Sequence, residues 1–296
     1  MKKLISTLVG CLFAGIVHGQ TVVEIVWPFS IASPPANYLR LIIEQANSTQ
    51  AEFKFVLMQR TGAGGSIAAN AVKNSNRPAL LASTTAFFVR PYLYPEQSYK
   101  FSNFVPVLLM GSGPIGFIGN GKSDWNSILN KKQIFIGTNG VGSLSHVVAD
   151  NLKQLYPQVI LVPYQGPTEA AKGVMAGDID LIIDVPSQAR PDQSLLKLHN
   201  ITGSNSYNGQ FTLLSSVVDI KFVNMSVDFF IVASADMDPI QVKQLSTILT
   251  SANIDNPKLA ELYQSEYVLI NQSIADVWYK EKVIQWKEIT RGVIAE

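Results

Sequence analysis

Two glycine-rich bends constrain this chain more than any other feature. The first reads Gly62-Ala63-Gly64-Gly65-Ser66, and the second reads Gly140-Val141-Gly142-Ser143-Leu144-Ser145-His146. Each leads into a helix-like stretch, and the second follows Ile134-Phe135-Ile136, an apolar run with the character of a strand. Such a bend turns a strand sharply into a helix and leaves main-chain N–H groups at the helix start, where an anion is favoured. One bend in each half of the sequence predicts two lobes that offer amides to a single small anion. A plainer reading of Gly62, Gly64 and Gly65, as a tight turn with no ligand, stands beside it.

The pattern around the bends alternates. Residues 22–27, 53–58 and 79–82 read as strands, residues 66–72 as a helix, and residues 37–46 place Leu39, Ile42, Ile43 and Ala46 on one helical face. Strand-like segments 104–110 and 116–118 precede a short helix, 125–129, opened by Ser123 or Asp124. Strands 134–136, 159–162 and 179–183 then alternate with helices 144–155 and 167–175. A strand at 229–233, a helix at 239–250 with proline in its first turn, and an amphipathic helix at 274–293 close the chain. This order implies an α/β protein with mostly parallel sheets covered on both faces. Such sheets bind ligands at the carboxyl ends of their strands. The loops selected are 28–36, 60–65, 83–87, 138–143, 164–167 and 184–187, which come from both halves and favour a cleft between two lobes.

Composition narrows the function. A chain of 296 residues with 47% hydrophobic and 15% charged residues supports one large or two modest cores. A formal net charge of +1 without a run of like charges gives no basic surface, so no nucleic-acid partner is expected. The start reads as an export signal: Lys2-Lys3, an apolar stretch at 4–17, and Val17-His18-Gly19 before a cleavage site expected after Gly19. Leu8-Val9-Gly10-Cys11 also has the residue types of a lipoprotein signal, but leaves a short apolar segment before Cys11. The expected location is the periplasm. Past the signal, no cysteine remains and only His146 and His199 offer imidazole, so no disulfide, metal site or cofactor is expected.

Two enzymatic readings compete with binding. Gly116-Phe117-Ile118-Gly119-Asn120-Gly121-Lys122-Ser123 satisfies the pattern of a nucleotide-binding loop, and Leu181-Ile182-Ile183-Asp184 could pass for its magnesium-binding strand. Against it, Phe117-Ile118 continues an apolar strand through the would-be phosphate cradle. Ser143 with His146 and an acid such as Asp150 suggests a hydrolase, but the surrounding sequence is not a nucleophile elbow. The three-residue spacing also places Ser143 and His146 on one helix.

At these residues the chain resembles the extracytoplasmic receptors of tripartite tricarboxylate transporters, the TctC or Bug-type proteins. The family's Gly-Ala-Gly-Gly turn before a small-residue helix matches 62–69. Its small-Ser-x-Gly-x-Gly-Ser-x-x-His turn matches 137–146, with Thr138 in place of serine. Val162-Pro163-Tyr164-Gln165-Gly166 matches its Val-Pro-Tyr-x-Gly, and 177–184 matches its Gly-x-x-Asp followed by three apolar residues and Asp. The segment from Tyr94-Pro95 to Phe104-Val105-Pro106-Val107 also fits.

The resemblance implies a type II periplasmic-binding-protein fold, with two α/β domains and a ligand cleft between them. The implied domains are 20–110 plus 229–296, and 111–228, after a signal peptide at 1–19. The implied job is capture of a small organic anion for membrane permease subunits by a monomer that performs no catalysis. The ligand-binding candidates are Phe29, Ser30, Ala32 and Ser33 in the first loop, Gly64, and Ser83 with Thr84. In the second half they are Thr138, Gly142, Ser143, His146, Tyr164, Gly166 and Asp184. His146 reads first as a capping or packing residue and only second as a ligand contact, Tyr164 as an apolar wall with one hydroxyl, and Asp184 evenly as a structural carboxylate or a ligand acceptor. The chain departs from the family where its Gly-Gly falls on Ala32-Ser33 and its Asp on Ala36, with Ser33-Pro34-Pro35 stiffening the loop. The loss of that Asp argues against an amino-acid ligand.

Overall fold

The computed structural model describes residues 19–97, 99–186, 196–202, 212–216, 225–259 and 275–293. Residues 1–18 of the expected export signal, including Cys11, and Ser187 of the last selected loop lie outside them. The first half runs β1 (Thr21–Trp27), α1 (Pro34–Thr49), β2 (Phe53–Gln59), α2 (Ser66–Lys73), β3 (Ala79–Thr84), α3 (Ala86–Leu93) and β4 (Phe104–Pro114). It continues through β5 (Gly116–Asn120), α4 (Trp125–Leu129), β6 (Ile134–Thr138), α5 (Leu144–Leu155), β7 (Val159–Pro163), α6 (Pro167–Ala176) and β8 (Leu181–Asp184). Then come β9 (Leu196–Ile201), β10 (Thr212–Leu213), β11 (Ser226–Ser234), α7 (Pro239–Ile254) and a C-terminal helix (Ala275–Ile289).

These strands form two sheets, ordered β2-β1-β3-β11-β4 and β10-β9-β5-β8-β6-β7. Among the described strands, one in each sheet opposes the rest: β11 is antiparallel to β3 and β4, and β5 is antiparallel to β8 and β9. All other pairings are parallel. The expected mostly parallel α/β pattern therefore holds in both sheets. Only Ile115 separates β4 from β5, so the chain passes straight from one sheet into the other. Buried Thr202 ties this crossing to the return strand: its hydroxyl accepts from the Ile115 amide at 2.8 Å and donates to the Met225 carbonyl at 2.6 Å.

Burial follows the sequence pattern. Every residue of β3 but Thr84 is buried, as befits a strand inside a sheet covered on both faces. Most of the buried side chains join one large cluster, while Ile118, Ala170, Val174, Ile179 and Ile182 belong to a smaller cluster that includes α6. Among the elements that differ from expectation, two have a clear local cause. Helix α1 begins at Pro34 rather than at 37, because prolines at its first two positions lack only N–H groups that have no helical partner there. Strand β4 runs on to Pro114 because β11 pairs with it along its length.

Helix α3 has no counterpart in the periodicity of the sequence. It is two turns long and contains Pro91, which cannot donate to the carbonyl four residues earlier. That carbonyl belongs to Phe87, and the buried Tyr99 hydroxyl donates to it at 2.7 Å. The Phe87 ring stacks on Tyr99 at 4.7 Å, and Phe88 packs on Phe230, Trp278 and Tyr279. Tyr92 donates to the Val283 carbonyl of the C-terminal helix at 2.7 Å. Aromatic packing and two phenol bonds thus hold a helix of modest intrinsic stability.

The nucleotide-loop reading fails on this fold. Phe117 and Ile118 are fully buried in β5, between β8 and β9, where no phosphate cradle forms. Replacing Thr202 with valine should leave the Ile115 amide and Met225 carbonyl without their side-chain partner. Chemical denaturation is expected to show a loss of roughly 1–3 kcal/mol in stability.

Candidate ligand site

The two glycine bends meet at one side chain that the sequence reading did not select. Arg90 of α3 is 8% exposed. A Cβ built on Gly64 would fall 3.3 Å from its Nη1, and one built on Gly142 would fall 3.4 Å from the same atom. Both glycines also have left-handed backbone, with φ of 58° and 79°. Backbone conformation therefore favours glycine at both bends, and a Cβ would press on Arg90 Cδ at 3.2 Å from Gly64 and on the Tyr94 ring at 3.0 Å from Gly142. The Tyr94 ring lies against the guanidinium, 3.7 Å from Cζ to the ring centroid. Arg90 Nε is buried without a hydrogen bond, and among the described residues no carboxylate pairs with the group.

The first bend is anchored to the loop after β1, because a Cβ on Gly65 would lie 3.4 Å from Pro28 Cβ. Within that loop, half-buried Phe29 packs edge-on against Trp27 at 5.2 Å. The Ser33 hydroxyl donates to the Ser30 carbonyl at 2.6 Å, and the Ser30 hydroxyl accepts from the Ala32 amide at 3.2 Å. Ala32 itself is exposed. At the end of β3, Ser83 is buried, while the hydroxyl of half-buried Thr84 accepts from the Ala86 amide. Neighbouring Thr85 accepts from the Asp228 amide at 2.8 Å, linking this loop to the crossing strand β11.

The second bend is more self-contained than its sequence suggests. The Gly142 amide donates to His146 Nδ1 at 3.3 Å, so it faces the imidazole rather than a ligand. The Ser143 hydroxyl accepts the His146 amide at 3.1 Å as the N-cap of α5. The Ser145 hydroxyl receives the Asn139 amide at 2.8 Å and touches Ser143 Oγ at 3.0 Å. Thr138, 1% exposed, ends β6 beneath this network. Ser143 and His146 accordingly form a helix cap, in place of the nucleophile and base that a hydrolase reading requires. Among the described residues, the Leu144 and Ser145 amides that open α5 have no hydrogen-bond partner.

Tyr164, Gly166 and Asp184 close the set. The half-buried Tyr164 phenol lies over Gly173 of α6, where a Cβ would come 2.9 Å from Cζ. Gly166 caps α6 with open space where a Cβ would be. Asp184 ends β8, its Oδ1 accepts from the Val185 amide at 2.7 Å, and its Oδ2 is buried without a hydrogen bond. Burial pushes its carboxyl up to about 6, against the smaller opposing effects of the Val185 and Asn139 hydrogen bonds. A separate cavity of about 410 Å³, lined by Val72, Asn76, Pro78, Asp236 and Gln241, sits at the amino end of β3, away from the bends. Among the described residues no group of His, Cys, Asp or Glu could hold a metal, and no helix is long and apolar enough to cross a membrane.

Two α/β sheets joined by crossing strands, with loops from both meeting at one buried cation, define the two-lobe architecture of periplasmic binding proteins. The model of the tripartite tricarboxylate transporter family receptor matches residues 40–291, and the chain belongs to that family. The fold is similar to that of the periplasmic binding protein BugD, with a TM-score of 0.79 and 20% identity over 93% of this chain and 99% of that one. It is also similar to MatC from Rhodopseudomonas palustris, solved with bound malate, with a TM-score of 0.76 and 18% identity over 91% and 98% of the two chains. A third structure, R. palustris Rpa4515 with adipate, gives a TM-score of 0.76 and 16% identity over 92% and 96%. The UPF0065 protein in the tcbD-tcbE intergenic region of Pseudomonas sp. (strain P51) is 26% identical over 161 residues, which cover 50% of this chain and 48% of that protein. The chain thus spans about half the length of this curated relative.

Asp184 gives the site a stability signature. Its folded-state pKa exceeds the unfolded value, so between about pH 4 and 6 the folded state holds a proton that the unfolded state has released. Stability from this group therefore falls as pH rises through that window. Melting curves of Asp184→Asn should show the variant gaining on the parent between pH 4.5 and 7.5, by roughly 2 kcal/mol.

Proposed function

We propose that this protein is an extracytoplasmic receptor that captures a small organic carboxylate between its lobes for the permease subunits of a tripartite tricarboxylate-type transporter. The observation that carries this reading is the meeting of both glycine bends at the buried Arg90 guanidinium. The lobes are residues 20–110 with 229–296, and residues 111–228, and they close about the crossing strands. Export by the leading signal places a monomer in the periplasm.

The site supplies the chemistry that a carboxylate needs. The Gly64 and Gly142 bends lie beside a cation, the unpartnered amides that open α5 follow the second bend, and the hydroxyls of Ser83, Thr138 and Ser143 are the further donors proposed, a set that calls for no cofactor. Malate and adipate, bound by two structural neighbours, are dicarboxylates and set the first chemistry to try. Ala36 is fully buried and offers only a methyl group where the resemblance implies an aspartate, which favours ligands without an ammonium group.

A folded receptor is stabilised by what it binds. Differential scanning fluorimetry with succinate, malate, adipate, citrate and benzoate should identify at least one acid that raises the melting temperature. A concentration 100 times Kd is worth about 2.7 kcal/mol, or roughly 5–10 °C for a chain of this size. No shift with any of them would count against the reading.

A further inference from the structure

We propose that Arg90 is the ion-pair partner of the ligand, so that the site selects organic anions over their uncharged analogues through a carboxylate lying in the plane of the guanidinium. The assignment rests on the receptor reading above and adds the residue that determines its ligand class.

Four observations converge on it. An arginine stays charged at any relevant pH, and burying its charge is costly unless it is paired and hydrogen-bonded. Arg90 is 8% exposed, its Nε lacks a hydrogen bond, and no carboxylate among the described residues pairs with it. Asp228 pairs with Lys282 at 3.0 Å and accepts from Ser112 and Ser226, Asp180 pairs with Lys131, and Asp184 takes the Val185 amide.

Tyr94 occupies a face of the guanidinium, whereas its N–H groups point outward in the plane. With one face covered, a carboxylate pairs with the group through its in-plane N–H groups, for which no partner is found among the described residues. Glycines lie beside these groups on two sides, and a Cβ at either would crowd Nη1. The two bends that the sequence shares with its family thus pack beside the guanidinium, while the cation itself comes from a helix that the sequence pattern conceals.

The group is also held in place and shared between lobes. Tyr99 and Tyr92 fasten α3 at Phe87 and Val283, so the guanidinium is positioned before any ligand arrives. Helix α3 contacts both the first bend and α5 of the other lobe. A carboxylate on Arg90 thus meets donors of both lobes at once, which favours the closed arrangement.

Isothermal titration calorimetry tests this with succinate, malate, adipate, citrate and benzoate, alongside the corresponding amides. The parent protein should bind at least one acid and reject its amide. Arg90→Gln, with its fold checked by circular dichroism, should bind that acid at least about 30-fold more weakly, as expected when one member of a buried charge pair is removed. Arg90→Lys keeps the charge without the planar fork and should fall between the two. A folded Arg90→Gln that binds the acid as tightly as the parent overturns the assignment and leaves the receptor reading intact. Equal affinity of the parent for acid and amide overturns it as well, without recourse to any variant. A parent protein that binds none of the acids removes the receptor reading and the assignment with it.

Discussion

A guanidinium buried against two left-handed glycines is the constraint from which the rest of the site follows. A charge in that position leaves little room beside 64 and 142, demands a rigid backbone beneath it, and calls for a partner with the opposite charge. The molecule meets the second demand with unusual material. Pro91 breaks the hydrogen-bond ladder of α3, Tyr99 repairs it at the Phe87 carbonyl, and the surrounding aromatic rings hold the repaired helix against the C-terminal helix. Proline, phenol and rings act together to aim one cation.

The crossing region joins this site to the two-lobe architecture. Thr85, two residues after Ser83, holds the Asp228 amide, and Asp228 is bound in turn by Ser112, Ser226 and Lys282 of the C-terminal helix. Both crossing strands therefore converge on one buried carboxylate, while Thr202 fastens them on the side of the second sheet. A rotation of the lobes about this region would move the second bend relative to Arg90 while leaving each bend intact, which is the motion a clamp on a small anion requires.

Much of this was legible in the residues. Glycine runs mark the bends because positive φ excludes most other residues, and Ile134-Phe135-Ile136 or Val159-Ile160-Leu161-Val162 mark strands because each is a short apolar run between turns. Helix α3 stayed hidden because Ala86-Phe87-Phe88-Val89 is apolar on every side and Pro91 argues against a helix. The lone Arg90 in that apolar stretch was the available signal. Group direction was not legible either: the pattern marks Gly142 as a bend, but the fold turns its amide to His146 and the Tyr164 phenol onto Gly173, which no spacing reveals. The stiff Ser33-Pro34-Pro35 loop proved to be the opening of α1, with the Ser33 hydroxyl donating to the Ser30 carbonyl and the exposed Ser30 hydroxyl accepting from the Ala32 amide.

A crystal structure of the protein grown with malate or adipate tests the central claim most directly. The account predicts one carboxylate of the acid within hydrogen-bonding distance of the Arg90 guanidinium, between the Gly64 and Gly142 bends and in contact with the amides that open α5. An acid found instead in the cavity near Val72 and Gln241, or seated between the lobes with Arg90 facing away from it, would contradict the account.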